Sequence, residues 1–247
     1  MTDLTNEERR QLLRTLRNTR ISVSHTALAH AVNIPVATYA PWFNDAVFMN
    51  TFEAIKPNTL VDIYRCFELW SLVAQLNKVP GDILEVGVWR GGTGCLMATQ
   101  AANLNVKRTI FLCDTFSGVV KATAKDTHYK GGEHADTTQQ VVETLIAQLG
   151  LDNTKILKGI FPDETGHAIQ DAQIALCHID VDVYESGLDV FNWANARMGI
   201  GAMVVFDDYG FLGCEGITKL ANELSLREDF ICVANLNGHA VFIKIRS

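Results

Sequence analysis

The 247-residue chain contains no apolar run near the ~18 residues that would cross a bilayer. Its N-terminal stretch mixes Asp3, Glu7 and Glu8 with arginines ahead of any hydrophobic segment, so it reads as neither a signal peptide nor a transit peptide. Basic residues are in the minority, 21 against 28 acidic ones, for a net charge of -7. That balance argues against broad affinity for nucleic acid or an anionic membrane, since few counterions could be released. The six cysteines are scattered, with no CxxC pair, which excludes a zinc-ribbon pattern or a disulfide framework. Several fall inside apolar runs and read as small buried hydrophobes in a reducing cytoplasm. There is no internal repeat, low-complexity tract or second-domain linker. With 48 % hydrophobic residues, the composition is that of a folded chain.

Thr5 and Glu8 form a capping-box pattern, followed by Leu12, Leu13 and Leu16 set among Arg9, Arg10, Arg14 and Arg17. This predicts an opening amphipathic helix, and apolar spacing over 59–76 predicts a second long one. Such helices give a reason to expect self-association into a homo-oligomer. From Val79 onward short apolar runs alternate with helical stretches, the pattern of parallel strands covered on both faces. Strands are expected near 83–88, 109–113, 154–158, 174–179 and 203–206, with helices near 93–101, 138–148, 188–197 and 214–225. Runs at 230–234 and 240–245 flank Asn235, Asn237 and Gly238 and predict a terminal antiparallel hairpin. The expectation is a doubly wound α/β fold over 79–247, preceded by an N-terminal helical region over 1–78. The polar stretch between Gly118 and Gln139 is too long for a plain connector and is expected to cover the active site.

Four motifs carry the chemistry. The run from Glu85 to Gly94 takes the first core strand into the next helix. Gly87, Gly91 and Gly92 there permit a sharp turn and a close approach to a ligand at the helix N-terminus. Asp114 ends the second strand 22 residues after Gly92, near the ~20 expected of an acid that accepts hydrogen bonds from ribose hydroxyls. These two motifs indicate an adenosine-containing cofactor, either NAD or S-adenosylmethionine. The other two, His178-Ile-Asp-Val-Asp182 and Phe206-Asp-Asp-Tyr209, bring several carboxylates to one edge of the sheet. Left unpaired they would repel one another. A divalent cation such as Mg²⁺ resolves this, with Asp180, Asp207 and Asp208 as oxygen ligands; alternation puts Asp182 on the same face as Asp180, and Asp180 is favoured because it sits closer to the expected strand terminus.

Together, Glu85-Val-Gly-Val-Trp-Arg-Gly-Gly, Asp114-Thr-Phe-Ser-Gly118, Ile179-Asp-Val-Asp-Val-Tyr-Glu-Ser and Phe206-Asp-Asp-Tyr209 resemble the macrocin O-methyltransferase family over roughly 45–225. These are metal-dependent class I enzymes that methylate hydroxyls, often of sugars, in bacterial natural products. The resemblance implies that Glu85 and the turn Gly87, Trp89, Arg90, Gly91 and Gly92 hold S-adenosylmethionine, with Asp114 and Ser117 on its ribose side. It implies that Asp180, Asp207 and Asp208 bind Mg²⁺, with Asp180 also the general base. His134 in the polar loop and His178 offer further bases. The expected acceptor is a small hydroxylated metabolite, a sugar or polyketide-type intermediate. An NAD-dependent dehydrogenase would leave the carboxylates without a task. A non-catalytic cofactor-binding module is the remaining reading.

Overall fold

The computed structural model describes residues 4–16, 19–24, 26–34 and 37–247, so Arg17 lies outside the described residues. The opening helix α1 (Asn6–Leu16) is capped as expected, with the Glu8 N–H donating to Thr5 Oγ1 at 3.3 Å and the Thr5 N–H donating to the Glu8 carboxylate at 2.8 Å. It buries no residue, and Leu12 and Leu16 stay exposed. A two-strand ribbon of β1 (Arg20–Ile21) and β2 (His30–Ala31) follows.

Helix α2 (Ala46–Ile55) has no counterpart in the sequence reading. Asp45 starts it by accepting from the Phe48 N–H at 2.9 Å, while its second oxygen accepts from the Trp70 indole at 3.0 Å. The helix expected from residue 59 begins later, as α3 (Ile63–Gln75), because the Asp62 carboxylate caps the Tyr64 and Arg65 N–H groups.

The core is a seven-stranded sheet ordered β5-β4-β3-β6-β7-β9-β8. Its members are β3 (Asp82–Val86), β4 (Ile110–Asp114), β5 (Thr154–Lys158), β6 (Ile174–Ile179), β7 (Met198–Phe206), β8 (Phe230–Asn235) and β9 (His239–Lys244). The first five run parallel, and β9 joins β7 antiparallel with β8 outside it, as the hairpin expectation requires. The connecting helices are α4 (Gly92–Asn103), α5 (Gln139–Leu149), α6 (Tyr184–Asn195) and α7 (Glu215–Leu224). Helix α6 starts earlier than the apolar spacing suggested, and β7 extends back to Met198 across a register irregularity opposite β6.

Alternation along the buried strands splits the interior between the two faces of the sheet. Leu84, Val86, Cys177 and Val204 point to the α6 and α7 side, while Ile83, Leu176 and Val205 face α2, α3 and α4. Phe48, Phe52, Leu69 and Trp70 share this second layer with Leu96 and Met97, so the helices before the sheet are built into its core.

The strand order reverses at β3, whose neighbours β4 and β6 leave to opposite sides, and a crevice opens there beyond the strand ends. Gly87, the first residue past β3, has a φ of +92°, and a Cβ on it would lie 1.6 Å from the Asp180 carbonyl oxygen. Gly87→Ala is therefore expected to lower the unfolding free energy by about 4 kcal/mol or more. Gly132→Ala, at a φ of +89° with open space around it, should lose only about 1–2 kcal/mol. Urea denaturation of both variants checks the contrast.

Candidate active site

A cavity lies at the carboxyl ends of the parallel strands, walled on one side by the turn after β3 and on the other by acids following β6 and β7. The turn is closely tied to its surroundings. The Gly87 N–H donates to the Cys113 carbonyl at 3.0 Å, and the Asp180 N–H donates to the Val86 carbonyl at 2.9 Å. Asp114, at the end of β4, accepts from the Trp89 N–H at 2.7 Å through one oxygen and from the Phe116 N–H at 2.6 Å through the other. Burial raises its carboxyl above the usual range, against the lowering effect of these bonds. Both oxygens keep further acceptor capacity toward the cavity.

The polar loop after β4 lies against this turn. Asp136 accepts from the Trp89 indole at 2.9 Å and pairs with Arg90 at 2.7 Å, while Thr137 Oγ1 donates to the Trp89 carbonyl at 2.7 Å. The Arg90 guanidinium stacks over Trp89, 4.3 Å from the ring centroid. The same loop brings Tyr129 and His134 into the cavity, with the Tyr129 hydroxyl 3.4 Å from His134 Nε2.

On the opposite wall Asp180, Asp182, Asp207 and Asp208 all line the cavity. Burial pushes the Asp180 and Asp208 carboxyls well above the carboxylate range, reinforced by the negative charge of Asp207 beside both. Burial also raises Asp182, countered by hydrogen bonds with Tyr129 and Asp208 and by the nearby His134. Trp89, Asp182 and Asp208 hold left-handed backbone angles, with φ of +48°, +64° and +61°. Strain of this kind, of order 1–3 kcal/mol per residue, persists only where surrounding structure enforces it.

Several expected site residues sit elsewhere, each for a visible reason. Glu85 does not reach the cavity: it is fully buried beneath α4, bonded to His178 Nδ1 at 2.9 Å, and a Cβ on Gly94 would come within 2.3 Å of its carboxylate. Arg90 is turned outward to Asp136. Gly91 and Gly92 lie behind the turn, where Gly92 packs on Asn58 and Thr59. Ser117 is exposed, donating to the Thr115 carbonyl at 3.2 Å, and lines a depression that adjoins the cavity at Thr115, Val120 and Gly159. Gly87, Trp89, Asp114, His134, Asp180, Asp207 and Asp208 do line the cavity.

Asp207, beside the other acids, is also held from the α3 side. One oxygen accepts from the Arg65 guanidinium and, at 2.8 Å, from the Asp208 N–H. Burial works against its charge, but His239, Arg65 and His178 outweigh this and hold it below the usual range. Arg65, almost fully buried, also binds Asp62 at 2.9 Å, lies 3.8 Å from Asp208 and stacks over Phe211 at 4.6 Å.

The family model for macrocin-O-methyltransferase (TylF) matches residues 58–242. The chain belongs to the macrocin O-methyltransferase family. Among curated members, an 8-demethyl-8-(2,3-dimethoxy-alpha-L-rhamnosyl)-tetracenomycin-C 4'-O-methyltransferase of Streptomyces olivaceus is 32% identical over 169 residues, covering 64% of each chain. Mycinamicin III 3''-O-methyltransferase of Micromonospora griseorubida is 32% identical over 172 residues, covering 64% of this chain and 67% of that one. The chain thus spans 64% of the length of the Streptomyces olivaceus relative. In fold it matches the O-methyltransferase NovP with a TM-score of 0.67 at 23% identity, over 76% of this chain and 83% of that one. It also matches the calicheamicin methyltransferase CalS11 with a TM-score of 0.61 at 16% identity, over 84% of this chain and 94% of that one. The doubly wound sheet with its terminal hairpin is the class I methyltransferase fold in this family member too.

The sequence reading missed Arg65 and Tyr129. Arg65 carried a signal, being a lone cation within the apolar stretch of α3, whereas Tyr129 in its polar loop carried none. Removing Arg65 leaves Asp207 buried without its hydrogen-bonded cation, so Arg65→Met should cost this family member about 3–5 kcal/mol in urea unfolding. Arg246→Ala, which breaks an exposed pair with Glu228, should cost under about 0.5 kcal/mol.

Proposed function

We propose that the chain transfers a methyl group from S-adenosylmethionine to a hydroxyl of a sugar-bearing or related natural-product intermediate, in a reaction that depends on Mg²⁺. The observation that carries this reading is the meeting, in one cavity, of a ribose-type acid at Asp114 with a wall of buried carboxylates. A dehydrogenase would have no use for that wall. Two relatives whose names describe O-methylation of rhamnosyl tetracenomycin and of mycinamicin support the acceptor class. A solved Bacillus cereus O-methyltransferase of this fold carries SAH.

The donor set fits a hard divalent cation. Asp180 and Asp208 are buried oxygen donors whose carboxyls are raised by burial and by neighbouring negative charge, a repulsion that bound Mg²⁺ removes. Asp180 and Asp208 would hold the ion together with Asp207, only one of whose oxygens is engaged by Arg65. When bound, the ion supplies Lewis acidity that lowers the pKa of an acceptor hydroxyl and orients its oxygen.

The protein does the rest. The close-packed turn at Gly87 leaves room for a nucleoside, and Asp114 accepts from its ribose hydroxyls. Trp89, clamped by Asp136, closes that side. Asp182 is raised by burial above the usual carboxylate range and held between Tyr129 and Asp208, so it takes the acceptor proton. His134 lies on the loop side of Asp182, where it orients the acceptor and favours the charged carboxylate. Fixing the acceptor oxygen in line with the methyl group supplies the remaining acceleration.

Incubation with deoxysugar-bearing macrolides and polyketides should give a cofactor-dependent mass gain of one methyl group. EDTA should abolish it and Mg²⁺ restore it; full turnover in excess EDTA sinks the metal-dependent mechanism. Asp182→Asn should lower kcat by about 10²–10⁴-fold with cofactor binding intact. Asp114→Ala should instead weaken S-adenosylmethionine binding about 10–100-fold in calorimetry, equal to about 1.4–2.8 kcal/mol.

A further inference from the structure

The two edges of the seven-stranded sheet are built differently. At one edge β5 carries the exposed lysines Lys155 and Lys158, a device that keeps a foreign strand from pairing there. At the other edge β8 reads Phe-Ile-Cys-Val-Ala-Asn, without charge or proline, and its register with β9 runs unbroken by a bulge. Ile231 and Val233 are 51% and 50% exposed on one face of this strand. An uncharged, regular edge with exposed apolar side chains is a template for another strand.

The outer side of β8 offers a regular row of backbone groups. The Ile245 N–H donates to the Asp229 carbonyl at 2.9 Å, which makes Asp229 and Ile245 a bonded position just ahead of the β8–β9 ladder. Bonded positions alternate in an antiparallel pair, so Ile231, Val233 and Asn235 direct their N–H and C=O groups to β9. Those of Phe230, Cys232 and Ala234 point away from the sheet. These three residues are spaced symmetrically about Cys232. A second β8, laid antiparallel with the two Cys232 residues opposite each other, sets Phe230 against Ala234 of the second copy and uses every outward group. The same register brings Ile231 against Val233 of the second copy at the closer, non-hydrogen-bonded positions, where side chains meet.

Charge also suits a second copy of this chain. A net charge of -7 repels like molecules in general, but the β8 edge is locally neutral. Just ahead of the strand Arg227 pairs with Asp229 at 2.7 Å, and Glu228 pairs with Arg246 at 3.2 Å. In the register centred on Cys232, Asp229 and Arg227 fall opposite Asn235 and Asn237 of the second copy, so no like charges meet.

We propose that the protein forms a two-fold symmetric dimer through β8, the two sheets joining edge to edge with Cys232 at the axis. Each copy presents the same patch to the other, as a closed dimer requires. The contact lies at the opposite end of the chain from the N-terminal helices that gave the first reason to expect self-association. It stands whether or not the chain transfers methyl groups.

Sedimentation of the full chain is expected to give a dimer. Ile231→Lys/Val233→Lys should raise the dissociation constant by about 100-fold or more, because positions 231 and 233 meet across the axis and would then carry like charges. Ile231→Glu/Val233→Lys should bind at least about tenfold more tightly than the lysine pair, since opposite charges would then meet. A monomer at every concentration overturns the proposal. So does a dimer that the lysine pair leaves intact, which would move the contact to another face such as that of α1, and so does a charge-swapped variant as weak as the lysine pair. Should the variants fail to fold by circular dichroism, residue-resolved amide exchange of the unmodified protein decides. The Phe230, Cys232 and Ala234 N–H groups should be protected at high protein concentration and exchange rapidly on dilution; rapid exchange at both concentrations overturns the dimer.

Discussion

The contact between Gly87 and the Asp180 backbone is the constraint on which the site depends. The turn after β3 and the end of β6 meet so closely that a single Cβ would overlap the Asp180 carbonyl, and the Val86 carbonyl accepts the Asp180 N–H at 2.9 Å. The glycine turn and the acidic side of the cavity are therefore tied to each other. Parallel strands sharing a ladder place their carboxyl ends side by side, and the reversal of order at β3 keeps the loops on either side from filling the space between them.

Around that contact the charges are arranged in two tiers. At the cavity face Asp180, Asp182 and Asp208 crowd together, and burial discourages all three from ionising without a cation. Behind them Asp207 stays charged because Arg65, His178 and His239 surround it. Consecutive aspartates thus differ in state through their neighbours: Arg65 of α3 binds Asp207, while Asp208, at a left-handed turn, lies among the other acids. Arg65 and Glu68 both come from α3, so a helix preceding the sheet in sequence supplies a counter-charge to the end of β7 and a hydrogen-bond partner to His239 on β9.

How much could be read beforehand depends on the range of the signal. The glycine turn, Asp114, the carboxylate runs and the hairpin were legible because each is a local pattern of one strand and the few residues beyond it. Helix α2 was not, because its cap at Asp45 lacks the Glu that marks a capping box, and its apolar faces pack against α3 and α4. Glu85 looked like a ligand residue because an acid in an apolar strand needs a partner. That partner is His178 on the next strand, which only the register of β3 against β6 reveals.

Alternating strand and helix periodicity, the glycines and the acids at strand ends were enough by themselves to determine the fold class, the position of the cavity and the kind of chemistry it invites. Strand ends in a parallel sheet always gather at one edge, so a local pattern translates directly into a shared location. The division of labour among the aspartates, the outward turn of Arg90 and Ser117 and the buried quartet of Glu85, His178, His239 and Glu68 were decided only by the tertiary structure. Each depends on which side chain from a distant segment reaches a given carboxylate, and no spacing along the chain encodes that distance.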